Sequence, residues 1–259
     1  MISKTKIKEL AQFKNQKKCE ENGVFVVEGI KMAEEALASG WQTLVVCATE
    51  EWHSRHPAIP LHIEQYEVSE SELERLSGMK HPSEVWMLLR RPLSNDCPSQ
   101  TAITLVLDHL QDPGNMGTII RTADWFGIRH IVCSPDTVDC FNPKVVQSTM
   151  GSLFRTDIQY TDICKWLEQC HIPVYGAALG GEDLFRIQAS GTGFDLPAAL
   201  VIGNESRGIS PEVKKRLTKA ITIPNIGRTA ESLNASVATA IAVSTMVQSA
   251  LQQTEEDNL

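Results

Sequence analysis

The stretch LVLDHLQDPGNMGTIIRTADWF, Leu105 to Phe126, decides how the chain folds. It begins as a strand, in which Ile103, Leu105 and Leu107 alternate with Thr104, Val106 and Asp108. It breaks at Asp112-Pro113-Gly114-Asn115 and resumes with helical spacing at Ile119, Ile120, Ala123 and Phe126. Proline and glycine stop the strand, and Asp112 or Asn115 can cap the helix by accepting hydrogen bonds from its free N–H groups. Parallel α/β proteins place their chemistry in a polar loop of this kind, between a buried strand and a helix. Asn115 stands at the mouth of the loop, and Arg121 follows roughly 9 Å along a regular helix axis. Taken alone, the segment is equally well read as a capped helix with one solvated arginine.

Strand–loop–helix units of this type recur on either side. Val24 to Val27 reads as a short buried strand ended by Glu28-Gly29, after a polar helix from Ile2 to about Glu20. Ile30 to Ser39 reads as a helix with Ile30, Ala33 and Leu37 on one face, Thr43 to Ala48 as a strand, Ser69 to Leu76 as a capped helix, and Val85 to Leu89 as a strand. Pro92 to Thr101, with two prolines and no apolar period, is the expected linker. Residues 1–91 are then a small α/β module and 102–259 a second domain. In the second, strands are expected at His130 to Cys133, Val174 to Ala178, Ala199 to Ile202 and Ile221 to Ile223. Helices are expected at Asn142 to Met150, Ile163 to Cys170, after Ser210-Pro211, and from Leu233 to Leu251. The alternation of strand and helix argues for a parallel sheet covered on both faces.

Composition narrows the function classes. With 259 residues, 42% hydrophobic and 22% charged, the chain has material for a real core. No apolar run reaches membrane-spanning length, and the basic N-terminus lacks the apolar segment of a signal peptide. Seven cysteines without a CxxC pair read as reduced thiols of a cytoplasmic protein. Cys164, Cys170 and His171 match no common zinc spacing, so no metal is expected. The net charge of −8 argues against non-specific coating of nucleic acid. It still allows a local basic patch, and Lys4, Lys6, Lys8, Lys14, Lys17 and Lys18 meet only Glu9 before Glu20.

Three strand ends carry polar, glycine-containing loops: Asp112 to Asn115, Gly203 to Gly208, and Pro224 to Ser232. If their strands are neighbours, the loops meet at one edge of the sheet. Glycine lets main-chain groups approach a ligand closely, which suits an adenine or ribose. Both the dinucleotide fingerprint and the phosphate-binding loop with its lysine are absent. The residues alone therefore describe an α/β enzyme or binder with a composite site.

QDPGNMGTIIRTADWFG (Gln111 to Gly127), VIGNESRGIS (Val201 to Ser210) and IPNIGRTAESLNASVATAIA (Ile223 to Ala242) resemble, in this order, the three motifs of the SpoU-type RNA ribose 2′-O-methyltransferases. VFVVEGIKMAEEAL (Val24 to Leu37) resembles the small substrate-binding domain that precedes the catalytic domain in many members. The resemblance implies a C-terminal trefoil-knotted parallel-sheet domain behind a ribosomal-protein-like α/β sandwich. It implies S-adenosylmethionine bound at Ile202, Gly203, Asn204, Gly208, Ile223, Ser232 and Leu233. Asn115, Arg121, Glu205, Ser232 and Asn234 match the family's catalytic and RNA-binding positions. A two-fold homodimer is implied through the last helix, with its small residues Ala235, Ser236, Ala238, Ala240 and Ala242. RNA is the expected partner, ribosomal more than transfer RNA, with Lys14, Lys17, Lys18 and the segment around Glu28-Gly29 as contacts beside Arg121. Ser206 follows Glu205 where the family usually has glycine, and a serine fits there if its φ is negative. The competing expectations are a catalytically idle RNA binder, a related enzyme acting on a base nitrogen, and a nicotinamide dehydrogenase.

Overall fold

The computed structural model describes residues 2–92, 102–189, 193–227 and 229–256. In chain order the elements are α1 (Lys4–Ala11), α2 (Gln16–Glu21), β1 (Val24–Glu28), α3 (Ile30–Ala38), β2 (Thr43–Ala48), α4 (Glu50–Arg55), β3 (Glu64–Glu67), α5 (Glu70–Leu76) and β4 (Val85–Arg90). There follow β5 (Ile103–Leu107), α6 (Pro113–Trp125), β6 (His130–Cys133), α7 (Pro143–Thr149), β7 (Asp157–Tyr160), α8 (Ile163–Glu168) and β8 (Val174–Asp183). The last are α9 (Leu184–Ala189), β9 (Ala198–Ile202), α10 (Pro211–Lys214), β10 (Lys219–Thr222) and α11 (Ala235–Glu256). The expected linker lies, apart from Pro92, outside the described residues.

By its contacts the chain divides into two units. The first contains the described residues up to Pro92 together with Asp139–Arg155, and the second contains the remainder. In the first unit the sheet order is β1-β4-β2-β3. Its β1/β4 and β4/β2 pairs are antiparallel and only β2/β3 is parallel, so the parallel pattern expected from alternation does not extend to this half. One face of the sheet packs Val24, Val26, Val45, Cys47, Trp86 and Leu88 against Ile7 and Leu10 of α1 and Leu73 and Leu76 of α5. On β1 the alternate residue Phe25 meets Phe141, with ring centres 4.8 Å apart, and Phe154 at 6.4 Å. The Arg91–Asp139 ion pair at 2.7 Å and the Asn142–Gln16 hydrogen bond at 2.9 Å fasten the same segment.

The N-terminal helix is not continuous. Asn15 adopts extended backbone and its side chain accepts the Lys17 N–H, so it caps a new helix, α2. The helix is not polar throughout either, because Ile7, Leu10 and Phe13 are buried. In α3 the buried face is Met32, Ala33 and Ala36, with Ile30 and Leu37 half-buried at its borders.

The second unit is built on one parallel sheet, β10-β8-β9-β5-β6-β7. Every residue of β5 and β9 is buried, as two covered faces require. Val106, Val132, Ala199 and Val201 pack on Ile163 and Leu167 of α8 and Val213 of α10. Alternate residues such as Leu105, Leu107, Ile131 and Leu200 are buried on the opposite face. Here α11 packs on α6 and α9.

Two features of this sheet place the site. First, β9 and β5 are neighbours, whereas β10 is separated from them by β8. Second, β8 runs on to Asp183, past its expected end at Ala178. Gly176 pairs with Ala220 and Glu182 with Ile221, so residues 177–181 bulge from the ladder. The final helix starts at Ala235, which leaves Ser232 and Leu233 in the preceding loop.

Of the two possible caps of α6, Asp112 is the one used: its side chain accepts the Asn115 N–H at 2.7 Å, and Pro113 occupies the first turn. Replacing Asp112 with alanine should lower stability by about 1 kcal/mol, and Asp112→Asn by much less. Urea unfolding of the three proteins checks the ranking.

Candidate functional site

The three polar loops converge at the carboxyl edge of the second sheet. Glu205, in the loop after β9, accepts the main-chain N–H of Asp112 at 3.0 Å and that of Gln111 at 3.4 Å. The Asn115 amide nitrogen donates to the same carboxylate at 3.0 Å. A carboxylate with only acceptors fixes the Asn115 amide with its NH₂ toward Glu205, which turns Oδ1 toward the amide of Asn234, a donor at 2.8 Å. Asn234 in turn caps α11, its Oδ1 accepting the Ser236 N–H at 2.9 Å and the Ser236 hydroxyl at 2.6 Å. The chain Glu205–Asn115–Asn234 thus joins all three loops. Asn115 is buried within it, while Glu205 remains largely exposed.

Burial acts to raise the Glu205 carboxyl. The hydrogen bonds from Asn115 and from main-chain N–H groups, those of Asp112 and Gln111 among them, outweigh it and hold the group below the ordinary glutamate range. A carboxylate stabilised in its charged form is a weak base, so the geometry makes Glu205 a clasp between loops.

The loop Gly203–Gly208 is closed on itself. Asn204 and Gly208 exchange main-chain hydrogen bonds at 3.1 and 2.9 Å, and the Asn204 side chain accepts the N–H groups of Ser206 and Arg207. At Gly203 a Cβ would lie 2.2 Å from the Gly208 carbonyl carbon, so only glycine fits. Gly208 has φ +67. Ser206 is not among the non-glycine residues with positive φ, so its Cβ is accommodated there.

Between this loop, the bulge of β8 and the start of α11 lies a cavity of about 400 Å³. All seven positions expected to hold a cofactor line it: Ile202, Gly203, Asn204, Gly208, Ile223, Ser232 and Leu233. Glu205 lines it too. Sequence reasoning missed Ala177, Ala178 and Leu179 of the bulge and Ala235, Ala238 and Ala242 of α11, which form part of the wall. The small residues of α11 were visible in sequence, but which of them line a cavity was not. Ala235, Ser236, Thr239 and Ala242 are buried there, whereas Val237 and Leu251 are exposed.

Other expected residues stand apart from the Asn115 chain. Arg121 is exposed on α6 and makes no hydrogen bond or ion pair among the described residues. Ser232 lines the cavity without a side-chain hydrogen bond among them. In the first unit the Lys14 amine donates to the Glu74 carbonyl at 3.1 Å, Lys18 pairs with Glu21 at 2.7 Å, and Lys17 is exposed. Glu28 is no surface contact. Its buried carboxylate accepts the Ser77 hydroxyl and, at 3.0 Å, the Gly78 N–H, and burial pushes its pKa up in spite of them. Among the described residues no group of His, Cys, Asp or Glu is arranged to hold a metal ion, and no helix is long and apolar enough to cross a membrane.

Comparison with known proteins divides the chain at the expected linker. The family model of the SpoU rRNA Methylase family matches residues 102–244, and that of the MRM3-like substrate binding domain matches residues 4–86. The 23S rRNA (guanosine(2553)-2′-O)-methyltransferase RlmP of Bacillus subtilis is 28% identical over 242 residues, covering 92% of this chain and 94% of its own. The structure of an AdoMet-bound rRNA methyltransferase from Sinorhizobium meliloti superposes with a TM-score of 0.83 at 27% identity, over 96% of this chain and 97% of that one. A TrmH-family protein from Porphyromonas gingivalis gives 0.83 at 38% identity, over 95% and 98%.

The lowered Glu205 pKa makes a linkage prediction. Its contribution to stability is fully present above the ordinary glutamate value of about 4.5 and is lost as pH falls through the lower folded value. Thermal unfolding of wild type and Glu205→Gln should therefore differ at neutral pH and converge in acid below that value. A gap that widens toward acid would contradict it. Gly203→Ala, which forces main chain against main chain, should open the loop and abolish cavity binding, measured by calorimetry.

Proposed function

The chain belongs to the SpoU rRNA methylase family, and on that premise we propose that it transfers a methyl group from S-adenosylmethionine to a ribose 2′-hydroxyl of ribosomal RNA. What carries the reading is the convergence of three separate loops on one cavity, joined by the Glu205–Asn115–Asn234 chain. The cavity suits this cofactor. Its volume lies within the range of small-molecule sites, and its walls combine apolar side chains such as Ala177, Leu179, Ile202, Ile223 and Leu233 with polar ones such as Asn204, Glu205 and Ser232. Main-chain groups of Ile202, Gly203, Asn204, Ile223, Ser232 and Leu233 would hold it. When bound, it supplies a methyl group activated by a sulfonium.

On this reading the protein aligns the attacking oxygen and stabilises its developing charge. Alignment alone can be worth up to about 7–11 kcal/mol. Arg121 grips the phosphate beside the target ribose and faces the oxygen, because a guanidinium that keeps its proton serves as an anchor and not as a base. Asn234 and Ser232 orient the hydroxyl, and buried Asn115 holds Asn234 in place. Glu205, engaged by its donors, keeps the first and second loops in register, and the hydroxyl proton, made acidic as its oxygen takes the methyl group, passes to water.

The same proposal includes cytoplasmic location, a trefoil-knotted path and a homodimer. The knot rests on membership of the family. The dimer is supported by exposed apolar side chains on these two packed helices, Trp125 on α6 and Val237 and Leu251 on α11. Lys14, Lys17 and Lys18 give the first unit its RNA contacts, and binding through them should weaken linearly with the logarithm of salt concentration.

The test is transfer of labelled methyl from S-adenosylmethionine to ribosomal RNA lacking the modification, with transfer RNA as a second pool. The product should resist alkaline cleavage at one ribosomal nucleotide. Arg121→Ala should lower the single-turnover rate about 10²–10³-fold, as loss of a charge-stabilising donor does. Arg121→Lys should stay well below wild type, and a near-normal rate in that variant would remove the guanidinium role. Label in neither pool would overturn the activity.

A further inference from the structure

Two residues at the end of β5, Asp108 and His109, hold the cavity loop from outside the cavity. Asp108 is 1% exposed. Its Oδ2 accepts the Ser210 N–H at 2.7 Å, and its Oδ1 lies 2.6 Å from Nδ1 of His109. The His109 carbonyl accepts the Asn204 amide at 2.8 Å, and its N–H donates to the Ser134 hydroxyl at 2.9 Å. The ring's other nitrogen is 3.3 Å from Asp136. Asn204 lies near the start of the loop Gly203–Gly208 and Ser210 just past its end, so adjacent residues after one strand hold it at both ends. Neither residue lines the cavity.

The backbone of His109 is itself unusual. It has φ 57, in the left-handed region that few side chains adopt, although histidine is among those that do. Such a conformation persists only where the surroundings hold it, as they do here from Asn204, Ser134, Asp108 and Asp136. In extended backbone the same carbonyl would not point at Asn204.

We propose that Asp108 and His109 are positioning residues for the cofactor. Asp108 acts through its carboxylate on the Ser210 N–H, and His109 through its carbonyl on the Asn204 amide. Together they keep the loop in the shape that receives S-adenosylmethionine, touching neither it nor the RNA. The proposal rests on the reading of this cavity as the cofactor site.

The experiment is calorimetric binding of S-adenosylmethionine to the full chain, with steady-state kinetics at varied cofactor and varied RNA. Loss of a buried charge-assisted hydrogen bond predicts that Asp108→Ala weakens cofactor binding about 10- to 100-fold. KM for the cofactor should rise while kcat and KM for RNA hold, a split that general destabilisation would not produce. Asp108→Asn keeps a side-chain oxygen for the Ser210 N–H and should recover most of the affinity. Ser210→Pro, at a residue whose φ of −62 suits proline, removes that N–H and sets a ring carbon against the Asp108 carboxylate, so it breaks the contact from the other side and serves if Asp108→Ala does not fold. His109→Gly keeps both carbonyl and backbone conformation and should bind within about threefold of wild type, whereas His109→Val, β-branched at positive φ, should bind poorly. Unchanged affinity in folded Asp108→Ala or Ser210→Pro would overturn the carboxylate's part. His109→Gly as weak as His109→Val would overturn the carbonyl's part. Failure of wild type to bind the cofactor would instead remove the reading of the cavity.

Discussion

One carboxylate organises the catalytic half of this protein. Glu205 takes donors from Gln111, Asp112 and Asn115, residues about ninety positions earlier in the chain, and through Asn115 the link reaches Asn234 at the head of α11. Acceptor and donor alternate without a gap along that chain, so the orientation of each amide follows from its neighbour. The cavity between the loops is therefore shaped before any ligand arrives, which lowers the ordering cost of binding. Asp108 and His109 support the same loop from the sheet, and glycine at 203 lets the main chain close on itself.

The parts of this arrangement written in local chemistry were legible. Asp-Pro-Gly-Asn announces a strand ending and a helix beginning, Gly-Asn-Glu-Ser-Arg-Gly announces a tight polar loop, and the spacing of the three loops carried the family resemblance. Seven of the cavity-lining residues followed from that resemblance. What stayed hidden depends on contacts distant in sequence. The strands β3 and β7 lie at sheet edges and are four residues long: Glu-Gln-Tyr-Glu is too polar to alternate, and Asp-Ile-Gln-Tyr alternates too briefly to stand out. Insertion of β8 between β9 and β10 leaves no local mark, and neither does the bulge at residues 177–181.

Two further features were invisible for similar reasons. Asp139–Arg155 groups with the N-terminal unit because Phe141 and Phe154 meet Phe25, a match of aromatic surfaces that no periodicity reveals. Asn15 breaks the first helix through its own side chain, although the residues around it favour helix. Glu28 looked like a surface residue beside a glycine and is instead a buried acceptor holding Ser77 and Gly78. Charge in a sequence marks chemistry only after burial has been settled.

The central claim is that the cofactor site is preformed by the Glu205–Asn115–Asn234 chain. A crystal structure of the full chain with S-adenosylhomocysteine tests it most directly. The ligand should contact main chain of Ile202 to Asn204 and of Ser232 and Leu233, with that hydrogen-bond chain shifted by less than about 0.5 Å. A ligand seated elsewhere, or a broken Glu205–Asn115 contact in the complex, would contradict the account.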